Sequence, residues 1–300
     1  MASLSKLRGF LPVLTSLLFA GSFIAGKYTT VELGPLTTSL FRYIIAMGVL
    51  GLFMLCRAQP AKAIAVARAD WGAMLLLGTF GVVGYHYFFF SSLRYTATAN
   101  TAIINAFNPV VTGVMAALFI GERLTRRQYG GIFLALLGVL TLLTQGNLTT
   151  LLALQLNRGD GLMLCAVLCW VVYSLIIKQL SQRYSGLTIT FYAAVAGVGQ
   201  LLVLAAAERW WQQVATLSLP ALISIVYMGV AASGVAYLLF NLSIQQVGPT
   251  RTASVVYSLV PIFVAGLAWL FFREQLTATM VASMGLILMG INVVLSPSKN

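Results

Sequence analysis

Gly121-Glu122-Arg123-Leu124-Thr125 returns 152 residues later as Arg273-Glu274-Gln275-Leu276-Thr277, with the Glu, Leu and Thr in register. The register holds on both sides without a gap: Pro109 meets Pro261, and Gly138 meets Gly290. One apolar segment earlier, Tyr85 meets Tyr237 and Ser91 meets Ser243. At a shift of 151, Phe19 meets Trp170 and Lys27 meets Lys178. Hydrophobic segments resemble one another by chance, but matched Pro, Glu-x-Leu-Thr and Gly are not a hydrophobic pattern. The chain reads as two copies of one unit, residues 1–148 and 149–300.

Each unit is built for lipid. The 300 residues are 60% hydrophobic and only 8% charged, against roughly 25% charged in soluble domains, and the mean hydropathy is +0.93. Continuous apolar runs long enough to cross a ~30 Å hydrocarbon core recur at 10–30, 35–56, 72–93, 97–120, 128–145, 160–180, 187–207, 219–243, 250–272 and 278–296. Lipid offers no partner to backbone N–H and C=O, so a spanning segment is a helix or a closed barrel. The runs do not alternate, which excludes the barrel. The expected fold is an all-α integral membrane protein of ten transmembrane helices, five per unit. Lys6 and Arg8 ahead of the first run imitate a signal peptide, but the run is long and equally apolar ones follow, so it reads as a retained span.

The net charge of +12 does not point to nucleic acid, because the basic residues sit in short clusters at span ends. With both termini cytoplasmic, Lys6, Arg8, Arg57, Lys62, Arg68, Arg123, Arg126, Arg127, Lys178, Arg183, Arg251 and Lys299 fall inside. Lys27, Arg94, Arg158, Arg209 and Arg273 fall outside, and Arg42 lies within span 2. That bias sets both ends in the cytoplasm. The three cysteines, Cys56, Cys165 and Cys169, make neither a disulfide framework nor a metal site, and no cofactor is expected.

Five spans per unit force the two halves into opposite orientations. Inverted repeats are the architecture of alternating access, in which the halves exchange conformations around a midplane site. Two five-helix repeats, each closing on a Pro-bearing helix and the corner Gly121 to Thr125 or Arg273 to Thr277, resemble the drug/metabolite transporter superfamily over the whole chain. The resemblance is nearest to its ten-helix bacterial amino-acid and metabolite exporters. Within that group, Gly84-Tyr85-His86-Tyr87-Phe88-Phe89 is similar to exporters of aromatic amino acids and methyl viologen. Export rather than uptake is what the resemblance implies. Partners are then a small-molecule substrate and the bilayer. Gly131, Gly138, Gly285 and Gly290 permit close helix packing in a monomer or a dimer alike.

Candidates for the solute site are the polar and aromatic residues near span centres. His86, the single histidine, either lines a cavity, binding a carboxylate or carrying a proton, or is a neutral packing residue. Asn105 and Asn108 precede Pro109, a kink position; they either bind solute or satisfy backbone groups that the proline frees. Tyr257 is the repeat mate of Asn105, one turn before Pro261, and is expected to face the cavity. Trp170, Tyr173, Tyr85 and Tyr237 form an amphipathic aromatic pocket or fill the core; a pocket would suit aromatic amino acids or flat organic cations. Lys27, Lys178 and Arg42 are expected to snorkel, with Arg42 alternatively pairing with Glu32 or attracting a carboxylate. Glu122 and Glu274 are expected to cap helices or hold tight turns rather than to act as coupling carboxylates. All six acids lie at span ends or in connections, so no buried carboxylate serves a sodium site.

Other classes fare worse. A membrane enzyme lacks H-E-x-x-H, and one histidine cannot make a di-histidine metal site. Ala231-Ala232-Ser233-Gly234 is too weak for a serine nucleophile. Charge rings or carbonyl filters of a channel do not appear. A phosphometabolite carrier would want several basic groups in its cavity, whereas the deep positions here are mostly neutral and aromatic.

Overall fold

The computed structural model describes residues 2–56, 66–120, 125–147, 157–240 and 249–295, and these contain helices and no strands. The elements in chain order are α1 (Ala2–Glu32), α2 (Pro35–Leu55), α3 (Arg68–Ser92), α4 (Thr98–Asn105), α5 (Asn108–Ile120), α6 (Arg126–Leu143) and α7 (Arg158–Leu180). They continue with α8 (Gly186–Leu204), a short α9 (Trp210–Val214), α10 (Leu219–Phe240), α11 (Pro249–Phe272) and α12 (Ala278–Leu295). Among the described residues, seven helices are long and apolar enough to cross a membrane, and Ala278–Val293 is a shorter apolar one. The first Glu-x-Leu-Thr corner up to Leu124, Ser243, the side chain of Lys178 and the basic residues at 57, 62 and 299 lie outside the described residues.

Large apolar side chains point outward all round, among them Val203 at 74% exposure, Phe133 at 63% and Trp269 at 55%. Such a surface would aggregate in water and is matched by hydrocarbon. The protein is a multi-pass integral membrane protein.

Packing follows the sequence repeat. α8 packs on the glycine-rich middle of α3, and α2 packs on the corresponding middle of α10. α1 lies against α11 as α7 lies against α4 and α5, while α6 meets α12. At that last contact a Cβ on Gly138 would come within 2.9 Å of the Ser283 carbonyl oxygen, and one on Gly290 within 2.6 Å of the Gly131 carbonyl oxygen. Gly131 and Ser283 are themselves repeat mates, so the contact is reciprocal, as across a two-fold axis. These glycines serve packing inside one chain. Gly285 has nothing within 4 Å of its Cβ direction.

Three glutamates fix the relative direction of the helices. Glu208, just past α8, accepts from Leu36 N (3.1 Å), Thr37 N (2.8 Å) and Thr37 Oγ1 (2.8 Å) at the start of α2. Glu274, just past α11, accepts from Thr98 N (3.2 Å), Thr98 Oγ1 (2.9 Å) and Ala99 N (3.3 Å) at the start of α4. Glu32 at the end of α1 accepts from Ser218 N (2.8 Å) and Ser218 Oγ at the start of α10. Each carboxylate satisfies the orphan N–H groups of a helix start and complements its dipole. Since α8 and α2 hold equivalent places in the repeat, as do α11 and α4, end meeting start makes equivalent helices antiparallel. Glu274 is the cap that was expected.

Two features depart from plain α-helix. Gly78–Gly84 in α3 and Met228–Val235 in α10 are π-helical, at matching places in the two halves. The span expected at 97–120 is broken at Ala106 and Phe107 between α4 and α5. Pro109 stands at the second position of α5, where its missing N–H costs least. Pro261, in contrast, sits within α11, which stays helical through it.

Candidate functional site

The sequence candidates converge. Trp170 of α7 is ringed by Tyr85 of α3 (centroids 4.9 Å apart), Tyr173 one turn on (5.0 Å) and Tyr237 of α10 (6.5 Å). Its indole Nε1 donates to the Tyr257 hydroxyl of α11 at 3.0 Å. Tyr85 donates through its hydroxyl to Asn105 Oδ1 at 3.4 Å, and Phe19 of α1 meets the Tyr237 ring edge-on at 5.6 Å. Both halves therefore supply rings to one cluster, and the polar atoms of Tyr and Trp give it directional contacts. Tyr85, Trp170, Tyr237 and Tyr257 keep some accessible surface, while Tyr173 is buried.

Pro109 and Pro261 each withhold the N–H that would bond the carbonyl four residues back, on Asn105 and Tyr257. Asn108 Nδ2 replaces the lost donor on Asn105, reaching its carbonyl oxygen at 2.9 Å and its Oδ1 at 2.6 Å. Asn108 is 1% exposed, and its Oδ1 is buried without a hydrogen-bond partner among the described residues. Asn105 is the member of the pair that touches the aromatic cluster.

His86 stands behind the cluster at 1% exposure. Its Nδ1 lies 3.2 Å from the Gly81 carbonyl oxygen and 3.1 Å from that of Val82, both in the π-helical turn. Carbonyls can only accept, so Nδ1 carries the proton and Nε2 is left to accept from the Tyr43 hydroxyl at 3.5 Å. The His86 ring also meets Tyr43 and Tyr85 edge-on, with centroids 4.9 Å and 4.8 Å away. The wide turn thus holds the imidazole, which in turn bonds Tyr43 and packs on Tyr85.

Arg42 departs from the reading favoured in sequence, while the alternative of attracting a carboxylate stays open. Expected to snorkel, it is instead 4% exposed. Its Nε donates to Ser233 Oγ in the π-helical turn of α10 at 2.8 Å. Its guanidinium carbon lies 5.9 Å from the Tyr43 ring centre and 6.0 Å from that of Phe90. Glu32, its alternative partner, is held by Ser218. Lys27 behaves nearer to expectation, donating to the carbonyls of Leu93 (2.6 Å) and Thr96 (3.2 Å) at the end of α3. Among the described residues no group of His, Cys, Asp and Glu is arranged to hold a metal.

Comparison with known proteins agrees with this architecture. A crystal structure 17% identical in sequence superposes with a TM-score of 0.64 over 98% of each chain, which shows the same fold. An uncharacterized transporter, YyaM, of Bacillus subtilis is 27% identical over 82% of this chain and 80% of its own. A probable amino-acid metabolite efflux pump of Salmonella typhimurium is 25% identical over 97% of this chain and 95% of its own. The sequence signature of the EamA-like transporter family matches twice, at residues 9–144 and 157–296, one match for each half. The chain belongs to the EamA-like transporter family, within the drug/metabolite transporter superfamily.

Proposed function

We propose that this transporter moves aromatic and other apolar amino acids, with related small organic solutes, out of a bacterial cell across the inner membrane. The observation that carries the reading is the Trp170 cluster, in which rings from both halves meet with Tyr257, Tyr85 and Asn105 as polar contacts. Aromatic rings that offer hydrogen bonds at their edges suit a solute with an apolar side chain and a polar head. The Salmonella relative is named for amino-acid metabolites, which favours the same class. Ten spans in two inverted halves, 1–148 and 149–300, with both termini in the cytoplasm, would place the cluster near the midplane, where alternating access needs it.

Transport is tested by counterflow in proteoliposomes. Vesicles preloaded with L-phenylalanine should accumulate labelled L-phenylalanine saturably, and Trp170→Ala and His86→Ala should weaken the apparent affinity. Failure of every apolar amino acid to exchange would overturn the reading, and saturable exchange of a nucleotide sugar instead would redirect it to phosphometabolites.

A further inference from the structure

We propose that Arg42 is the carboxylate receptor of the pocket, which makes the solute an organic carboxylate and disfavours organic cations. The proposal rests on reading the Trp170 cluster as the solute site, and extends it to the charge of the solute.

Arg42 lies seven residues into α2, so it stands about 10 Å below the start of the helix at 1.5 Å per residue. An arginine always carries its charge at physiological pH, and a charge at that depth is costly unless a partner offsets it. The partners present do not offset it. Ser233 is a neutral hydroxyl, the Met228 sulfur is a weak acceptor at 3.9 Å, and Tyr43 and Phe90 offer only ring faces. These contacts hold the guanidinium in place and leave its charge standing.

The chain has little left with which to neutralise it. It contains six acidic residues, and the five among the described residues are all engaged elsewhere. Glu32, Glu208 and Glu274 cap α10, α2 and α4. Asp160 accepts from Thr96 at 2.6 Å, and Asp70 pairs with Arg183 at 3.1 Å. Arg42 meanwhile stands against Tyr43, whose ring meets His86 at 4.9 Å, and His86 meets the Tyr85 ring of the cluster at 4.8 Å. A buried planar fork of donors with one hydroxyl on Nε, and its outer nitrogens facing no acid among the described residues, is complementary to a carboxylate, which it can hold by two parallel hydrogen bonds. The aromatic cluster would then take the apolar end of the same solute.

The test compares head groups on a constant phenyl tail, by thermal stabilisation of the purified full-length protein. The probes are 3-phenylpropionate, L-phenylalanine, phenylalaninol and phenethylamine, on wild type, Arg42→Lys, Arg42→Gln and Trp170→Ala. The two carboxylates should stabilise wild type and the other two should not. Arg42→Gln should weaken carboxylate binding about tenfold or more, Arg42→Lys less, and Trp170→Ala should weaken binding without changing the preference for a carboxylate. Removing a buried charge should leave ligand-free unfolding of Arg42→Gln no lower than wild type, so loss of the response is separable from misfolding. If phenethylamine stabilises as well as 3-phenylpropionate, or Arg42→Gln keeps the carboxylate preference, the proposal fails. Counterflow separates the two readings. Exchange of L-phenylalanine that Arg42→Gln leaves intact sinks the receptor alone. Arg42-dependent stabilisation by 3-phenylpropionate without exchange of any amino acid sinks the amino-acid reading alone.

Discussion

The indole of Trp170 donates a 3.0 Å hydrogen bond to the hydroxyl of Tyr257, tying α7 to α11 one turn before Pro261. The bond lies inside the aromatic cluster and joins two spans of the second half, so it should affect both stability and binding. Interhelical hydrogen bonds in membranes are worth about 1 kcal/mol. Tyr257→Phe should therefore cost about 1 kcal/mol of unfolding free energy in mixed micelles, and should cost nothing further in a Trp170→Phe background. A double-mutant cycle reads this directly, and additive costs would mean that the bond contributes nothing.

Glu208 and Glu274 cap helix starts that belong to the opposite half. Loss of a cap typically costs about 0.5–2 kcal/mol, so Glu208→Ala and Glu274→Ala should each lower the unfolding midpoint by an amount in that range. They share no partner, so the double variant should show the sum of the two effects.

Gly138 and Gly290 leave no room for a methyl group, since backbone atoms of the facing helix lie within 3.0 Å of either Cβ position. Alanine at either position should separate α6 from α12 and destabilise by about 1–3 kcal/mol. Gly285→Ala, which meets nothing within 4 Å, should be neutral or slightly stabilising. Equal behaviour of the three variants would count against the reciprocal contact.

Gly81 faces the Tyr173 ring so closely that an added Cβ would fall 2.2 Å from Cδ2. Tyr173 packs on Trp170, so Gly81→Ala should push one ring into another. Apparent affinity in counterflow should fall more than thermal stability, and the neighbouring control Gly199→Ala, with nothing within 4 Å, should leave both unchanged.

The helical spans, the repeat and the aromatic candidates were legible because they depend on residue type and spacing. Trp170, Tyr85, Tyr237 and Tyr257 could be selected one by one from their depth in apolar runs, and the fold brings them together. Arg42 was misjudged because its surroundings are not local. Seven residues into a span, a long basic side chain ordinarily reaches back to the interface, and what holds this one is Ser233, 191 positions away. The π-helical turns were invisible for a related reason. A run such as Gly78-Thr79-Phe80-Gly81 has no signature that separates π from α, and the wider turn forms where Gly78 and Gly81 let α8 and Tyr173 approach. Asn108 had two readings open in sequence; its Nδ2 reaches the Asn105 carbonyl and side chain, a contact between side chains that spacing alone does not show.

Two identical inverted halves would make the inward-facing and outward-facing states degenerate, because exchanging the halves would turn one state into the other. This chain is not of that kind. Arg42 corresponds to Ala193 or Ala194 in the second half, His86 to Leu238, and Asn105 to Tyr257. The polar side of the cluster belongs to the first half and most of its rings to the second. If the halves exchange conformations as proposed, the residues that give the cluster its chemistry also lift the degeneracy, and one group of side chains would set both the resting bias and the choice of solute.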